Sequence, residues 1–119
     1  MKKYAMFIGR WQTWHTGHEW LINQQLNKGK NCWVAIRDVQ QDENNPKTAQ
    51  EILKELSNEP FFTNNFDKIL LSIIPDIESV NYGRGVGYDV IYHEPPTDVA
   101  QISGTAIRNG EMKSDGSTT

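Results

Sequence analysis

The sequence predicts an α/β protein with a small parallel sheet of four to five strands and helices on both faces. Short runs of apolar residues, of which residues 32–36 are the clearest, are typical of strands covered on both sides. Segments with helical patterns separate these runs by short joints, and strand–helix–strand units of this kind form parallel pairs with right-handed crossovers. The 119 residues suffice for one domain. We expect it to span residues 1–109, with a polar, disordered tail over 110–119.

The first half of the chain predicts two strands around one helix. Residues 4–8 are almost entirely apolar and predict the first strand, and residues 32–36 predict the second. Between them, residues 18–28 predict a helix that ends at Gly29. Its expected apolar side consists of Trp20, Leu21, Ile22 and Leu26, with Asn23, Gln24, Gln25 and Asn27 facing solvent.

The second half predicts further helices and strands. Thr48 and Glu51 have the spacing of a capping box, which predicts a second helix from there to about residue 57. Residues 58–67 predict a loop or broken helix anchored by aromatic side chains. Residues 68–74 and 88–92 predict the third and fourth strands, joined by a glycine-rich loop over 76–87. Residues 97–101 predict a connector, and Ser103 is placed to cap a short helix over 104–109.

Charge and cysteine content narrow the classes of function. The net charge is −3, which argues against a broad surface for nucleic acid or membrane. Cys32 is the only cysteine, so neither an intramolecular disulfide nor a cysteine-based metal cluster is expected. The apolar run after the N-terminal lysines is too short for a signal peptide, and no segment reaches transmembrane length. We therefore expect a soluble, cytoplasmic protein.

The segment over residues 7–18 carries the strongest functional signal. A strand, a turn at Gly9 and Arg10, and the start of a helix follow one another, with His15, Gly17 and His18 at the helix start. The first amides of a helix lack intrahelical partners, and the helix dipole favours negative charge there. Histidine is well suited to donate a hydrogen bond or proton near neutral pH. This pattern predicts a site for a small anion.

Two further residues are expected at the same edge of the sheet. Arg37 and Asp38 follow the predicted second strand as Gly9 and Arg10 follow the first. The carboxyl ends of parallel strands meet at one edge, where open α/β sheets bind ligands. A structural ion pair between Arg37 and Asp38 is the alternative interpretation.

Two motifs resemble one known family. His15-x-Gly17-His18 after Gly9 and Arg10, together with the I-S-x-T-x-x-R pattern over 102–108, resembles the signature of the H-x-G-H nucleotidyltransferase superfamily. Its members include nicotinamide mononucleotide adenylyltransferases, cytidylyltransferases and sulfate adenylyltransferases. A weaker similarity lies at 45–49, where archaeal adenylyltransferases have an N-P-aromatic-T-A segment. The resemblance covers about residues 4–109 and implies a Rossmann-like nucleotidyltransferase fold.

The resemblance also implies roles for particular residues. His15, His18 and Arg108 would be catalytic, acting on the triphosphate and its transition state. The implied nucleotide-binding residues are Ile8, Gly9, Arg10, His15, Gly17, His18, Ile102, Ser103, Thr105 and Arg108. Acceptor-binding candidates are Arg37, Asp38, Tyr82 and Arg84. Mg²⁺ is expected to arrive with the nucleotide, so no protein metal ligands are assigned.

Each role has a structural alternative. The histidines, Ser103 and Thr105 are also suited to helix capping, and Tyr82 and Arg84 to an ordinary loop. Trp11 and Trp14 are interpreted as packing residues rather than a ligand cover. Lys47, at the family's aromatic position, is interpreted as a solvated lysine.

The chain departs from the family in two places. Thr13 replaces a common proline, which predicts a looser turn, and the chain lacks a strand–helix unit that helps form the acceptor pocket in adenylyltransferases. The resemblance therefore implies transfer of AMP from ATP to a small phosphate or oxyanion acceptor, with release of pyrophosphate. The alternatives are a cytidylyltransferase using CTP and a small phosphorylated alcohol, and a nucleotide-binding module without turnover. A homo-oligomer is also possible.

Overall fold

The fold is a three-stranded parallel sheet with helices. The computed structural model describes residues 1–85, 87–102, 104–108 and 110, without the side chains of 105 and 106. In this part of the chain the elements are β1 (Ala5–Gly9), α1 (Thr16–Leu26), β2 (Cys32–Asp38), α2 (Ala49–Asn58), α3 (Pro60–Thr63), β3 (Ile69–Pro75), α4 (Thr97–Ala100) and α5 (Gly104–Arg108).

The strands lie in the order β1-β2-β3, and both pairs are parallel. The register aligns Phe7 with Val34 and Leu71, so that these three side chains share one face. This face packs against the helices, and its central residue, Val34, is fully buried. The prediction of an α/β protein with a parallel sheet is therefore confirmed.

The helices α1, α2 and α3 contribute to a single apolar core on that face. Ile22 of α1, Ile52 and Leu56 of α2, and Phe62 of α3 pack there against the strands. The expected layers on both faces are not found in the described part of the chain. Right-handed crossovers that continue in one direction, β1 to β2 to β3, place their helices on the same side of the sheet. A second layer would require the chain to return past β1.

The predicted fourth strand was wrong. The residues over 88–92 form no strand and are exposed, Tyr92 to 82%. Their alternation of apolar side chains suits a strand, but a strand also needs a neighbour for its backbone hydrogen bonds. Among the described residues, no backbone hydrogen bond involves this segment. The described sheet therefore has three strands rather than four to five.

The helix boundaries were largely anticipated. The capping box of Thr48 and Glu51 is formed at the start of α2, as predicted. Helix α1 begins and ends two residues earlier than predicted, because His15 rather than a later residue occupies its N-cap. Gln25 was expected to face solvent but is buried. The predicted connector over 97–101 contains the short helix α4, and the predicted cap Ser103 lies outside the described residues.

The second face of the sheet is exposed in part, although Ala35 on it is fully buried. We call the side chains of Met6, Ile8, Trp33, Ala35, Leu70 and Ser72 the open sheet face; they alternate with the core residues along the three strands. Met6 and Leu70 are each 42% exposed. Across this face the Trp33 Nε1–H donates to Ser72 Oγ at 2.7 Å.

Candidate active site

The loop between β1 and α1 is held by Trp11. Its backbone lies in the left-handed region, with φ of 53°, which is uncommon for a bulky side chain. The buried indole lies over the end of β1, and its Nε1–H donates to the carbonyl oxygen of Ala35 at 3.0 Å. A Cβ on Gly9 would lie 2.7 Å from Trp11 Cε2, so only glycine fits beneath the ring. Trp11 is therefore a packing residue, as predicted, that fixes where the loop leaves the sheet.

Gly9→Ala tests this contact. The added methyl group overlaps the indole of Trp11, so we expect the free energy of unfolding to fall by about 1–3 kcal/mol. Denaturant titration of both proteins measures the change. Gly83→Ala is the matched control, because no heavy atom lies within 4 Å of its Cβ position. Equal stability of Gly9→Ala and Gly83→Ala would contradict the packing role.

Two side chains join this loop to the segment before α2. The Gln12 side chain donates to the carbonyl oxygen of Lys47 and accepts from its backbone N–H, both at 3.0 Å. Arg10 Nη1 donates to Asn45 Oδ1 at 3.1 Å. Asn45 is held in turn by Asp42, whose Oδ1 accepts from its backbone and side-chain nitrogens. These hydrogen bonds, those from the Asn45 side chain most of all, lower the pKa of the Asp42 carboxyl.

His15 and His18 form a stacked pair at the start of α1. Their ring centroids are 3.7 Å apart, with an interplanar angle of 18°. The His18 Nδ1 accepts from the backbone N–H of His15 at 3.4 Å, a long hydrogen bond that favours the proton on Nε2. His15 Nδ1 is buried and has no hydrogen-bond partner in the described part of the chain. The two rings together form the capping box of α1, each facing the backbone N–H of the other residue.

The environment of the pair keeps both rings neutral. Burial and, to a lesser extent, the neighbouring His15 lower the pKa of His18 to about 3. Burial also lowers the pKa of His15. The ring of His18 lies among aromatic neighbours, 5.0 Å from Trp11 and 5.1 Å from Trp14 between centroids. At neutral pH the pair therefore offers N–H donors without positive charge.

Residues of the two sequence motifs meet at this point. Arg108 Nη1 donates to Thr13 Oγ1 at 3.0 Å, across 95 positions of sequence. A Cβ on Gly104 would lie 3.6 Å from Thr13 Cβ, and one on Gly17 would lie 3.8 Å from Ile102 Cβ. The prediction of a looser turn at Thr13 left out this hydrogen bond, for which a proline would offer no hydroxyl to Arg108.

Gly17 is required by the histidine pair itself. A Cβ at this position would lie 2.9 Å from both Cε1 and Nδ1 of the His15 ring. Any side chain would therefore displace His15. The glycine of the H-x-G-H pattern thus has a packing reason that is independent of any ligand.

A polar depression lies beside the loop, at the carboxyl ends of the strands. Its volume is about 380 Å³, and it is lined by Arg10, Arg37, Val39, Gln40, Asp42, Asn45 and Asp76. Arg37 forms an ion pair with Asp76 at 2.8 Å and donates to the carbonyl oxygen of Ile77. The alternative of an Arg37–Asp38 pair was wrong in its partner, because Asp76 rather than Asp38 contacts the guanidinium.

Other predicted site residues lie elsewhere or outside the described part. Ile8 belongs to the open sheet face, although its backbone lies near the end of β1. Tyr82 and Arg84 are exposed in the loop after β3, and no hydrogen bond or ion pair joins them to other described residues. Lys47 forms a surface ion pair with Glu55 at 2.8 Å, in agreement with a solvated lysine. Ser103 and the side chain of Thr105 are outside the described residues.

Sequence reasoning missed the residues that support the site. Gln12, Asn45 and Asp76 were not singled out, although Asn45 lies in the weakly similar 45–49 segment. One clue was present in the sequence. Gln12 is a polar residue in an otherwise aromatic turn, and Asn45 is a polar residue directly before a proline. Their partners are backbone groups and distant side chains, which a single sequence does not reveal.

The arrangement supplies hydrogen-bond donors and cations, with few metal ligands. Among the described residues, no three His, Cys, Asp or Glu side chains group in a way that could hold a metal ion. In the same part of the chain, no helix has the length and apolar character to cross a membrane. The site is thus suited to an anionic ligand bound through N–H groups.

Comparisons of the chain with protein-family models, with curated proteins and with solved structures give no match. The function is therefore argued from the geometry of the site and from the two motifs.

Proposed function

We propose that the protein is a nucleotidyltransferase that transfers AMP from ATP to a small phosphate or oxyanion acceptor. An acceptor oxygen attacks the α-phosphorus, the bond from that phosphorus to the oxygen bridging it to the β-phosphate breaks, and pyrophosphate leaves with the bond electrons. The protein has to align the two substrates and balance the charge of the phosphates, without a covalent nucleophile.

The observation that carries the proposal is the meeting of the two motifs. The Arg108–Thr13 hydrogen bond and the contacts of Ile102 and Gly104 bring residues near both ends of the chain to the start of α1. A cation, two imidazoles and the amides of a helix N-terminus then face one small region. Such a set of donors suits a chain of phosphates better than a neutral ligand.

The histidine pair would act on the triphosphate as neutral donors. With its Nδ1 accepting from the chain, His18 presents Nε2–H to a phosphate oxygen. A prepositioned donor of this kind stabilises charge that develops on the phosphate oxygens as the bond to the leaving group breaks.

The depression beside Arg10 and Arg37 is the proposed acceptor site. Its two guanidinium groups would hold the oxyanion, while Asp76 and Asn45 fix their orientation. The substrate would be the Mg²⁺ complex of the nucleotide, with the ion held through phosphate oxygens rather than by a protein cage. We keep three residues as secondary candidates for contacts with the acceptor: Tyr82, Arg84 and Asp38.

Two alternatives are distinguished by simple binding data. A cytidylyltransferase would bind CTP and a small phosphorylated alcohol at the same donors. A nucleotide-binding module would bind ATP without turnover. This module is the second candidate because the acceptor side of the site is open. The base of the nucleotide is commonly read by backbone groups, which the motifs do not define.

Calorimetric titration with ATP and with CTP, each with Mg²⁺, tests the proposal. We expect ATP to bind at least about tenfold more tightly than CTP, and Arg108→Ala to weaken ATP binding by about tenfold through loss of a charged contact. Lys47→Ala is the matched control, since its cation is paired with Glu55. Preference for CTP would move the assignment to the cytidylyl branch, and binding of neither would contradict the proposal.

Turnover requires a second measurement. Pyrophosphate release is followed with ATP and a panel of phosphomonoesters, sulfate and phosphate. Arg37→Gln should raise the KM for the productive acceptor and leave ATP affinity unchanged. If ATP binds and no acceptor yields pyrophosphate, the binding-module alternative is the correct one.

A further inference from the structure

The open sheet face is largely apolar, with the charged Arg37 of β2 on the same side at the carboxyl end of the strand. None of its six residues is ionisable, and Met6, Trp33 and Leu70 lie side by side in register across the three strands. The indole N–H on the face is already paired, because Trp33 Nε1–H donates to Ser72 Oγ. A partner can therefore cover the indole without leaving its N–H unpaired. Parallel sheets are almost always covered on both faces.

A second uncovered apolar surface follows β3. We call residues 80–92, apart from the undescribed position 86, the apolar segment. Its large apolar residues are between 55% and 82% exposed: Val80, Tyr82, Tyr88, Val90, Ile91 and Tyr92. Within the described part of 78–95, the hydrogen bond that the Asn81 side chain donates to Ser79 Oγ is the only one. No heavy atom lies within 4 Å of the Cβ positions of Gly83, Gly85 and Gly87.

The combined area of the two surfaces is that of a protein–protein interface. A large side chain has about 150–250 Å² of surface, so the exposed apolar residues of both surfaces amount to about 900 Å². The largest apolar patch on a typical monomer is about 300–600 Å². A standard interface buries about 800 Å² on each partner. The total exposed apolar area is therefore of the size that one stable interface requires.

We propose that a second copy of the chain covers these surfaces, with the apolar segment of each copy lying on the open sheet face of the other. A two-fold pair brings both surfaces together twice, since each copy carries one of each. The exposed apolar residues of the segment are three tyrosines and three β-branched residues, and interface cores are likewise rich in aromatic residues. A net charge of −3 per chain opposes association only weakly at physiological salt.

The proposal is independent of the nucleotidyltransferase assignment and is tested by sedimentation velocity from about 1 to 100 μM. The native chain is expected to sediment at twice the mass of one chain. Leu70→Lys places a charge on the open sheet face, beside Trp33 of the central strand, and should raise the dimer dissociation constant at least about 100-fold. Phe66→Lys is the matched control, because this apolar residue is 81% exposed but lies in the turn before β3, and the variant should remain dimeric.

Val90→Lys tests the other surface. It lies outside every described helix and strand, so its substitution leaves the folded sheet intact, and it should dissociate the dimer as Leu70→Lys does. If Leu70→Lys fails to fold by circular dichroism, Val90→Lys decides alone. A native monomer at 100 μM, an open-ended series of oligomers, or equal effects of Val90→Lys and Phe66→Lys would overturn the proposal.

Discussion

His18→Ala is expected to reduce kcat for nucleotidyl transfer by about 10²–10³-fold, the loss typical of removing one prepositioned donor at a developing oxyanion. The Nε2–H of His18 is fixed by the hydrogen bond at Nδ1 and by the stacked ring of His15. Alanine removes the donor, and water in its place has no fixed direction. Single-turnover measurement with saturating MgATP and the productive acceptor isolates this step.

A second variant distinguishes the form in which His18 acts. The side-chain amide of His18→Gln offers a neutral N–H near the position of Nε2, so this variant should retain about tenfold more activity than His18→Ala. Equal losses in both variants would indicate that the imidazolium, rather than the neutral ring, is the active form. His93→Ala is the control for loss of a histidine elsewhere and should retain full activity, because this residue belongs to neither motif.

The same pair makes stability depend on pH. The pKa of His18 is about 3 in the folded chain, below the value of about 6.5 for an unfolded histidine. Below pH 6.5 the unfolded chain binds a proton that the folded chain does not. The stabilising contribution is therefore complete above about pH 7.5 and is lost as the pH falls. Between pH 7.5 and pH 5 this costs about 2 kcal/mol for His18, and His15 adds a loss in the same direction.

Denaturant titration at the two pH values measures the loss, and His18→Gln isolates the share of this residue. The variant has no proton to bind at this position in either state, so its stability should fall by about 2 kcal/mol less than that of the native chain over the same interval. Carboxyl groups contribute equally to both proteins and cancel in the comparison. An identical pH dependence would mean that the His18 ring titrates normally in the folded chain.

Much of the sheet could be predicted from the sequence, because the buried strands are apolar runs and the first helix lies between two of them. The fourth strand could not, since residues 88–92 have the alternation of a strand but no neighbour to bond with. Gln25 was misassigned because its amide is polar, yet its position on α1 faces the core. In both cases the local sequence pattern was present, but contacts with the rest of the fold, or their absence, determined the structure.

The candidate site was predictable in position but not in detail. Two motifs at opposite ends of the chain indicated which residues should meet, and Gly17, Gly104 and Thr13 do lie against the partners described above. The stacking of His15 on His18 had no signal, because a spacing of three residues is equally suited to simple capping. The support from Gln12 depends on backbone groups of Lys47, which carry no sequence information.

The hydrogen bond between Thr13 and Arg108 also has a consequence for the order of folding. It closes a loop across 95 positions, whereas each strand–helix–strand unit closes a much shorter one. Closing a long loop costs conformational entropy before its contacts return any stability, so distant contacts form late. During synthesis β1 and α1 emerge before α5, so the histidines are in place before Arg108 reaches Thr13. Under the proposed function, nucleotide binding therefore reports on a molecule in which this late contact has formed.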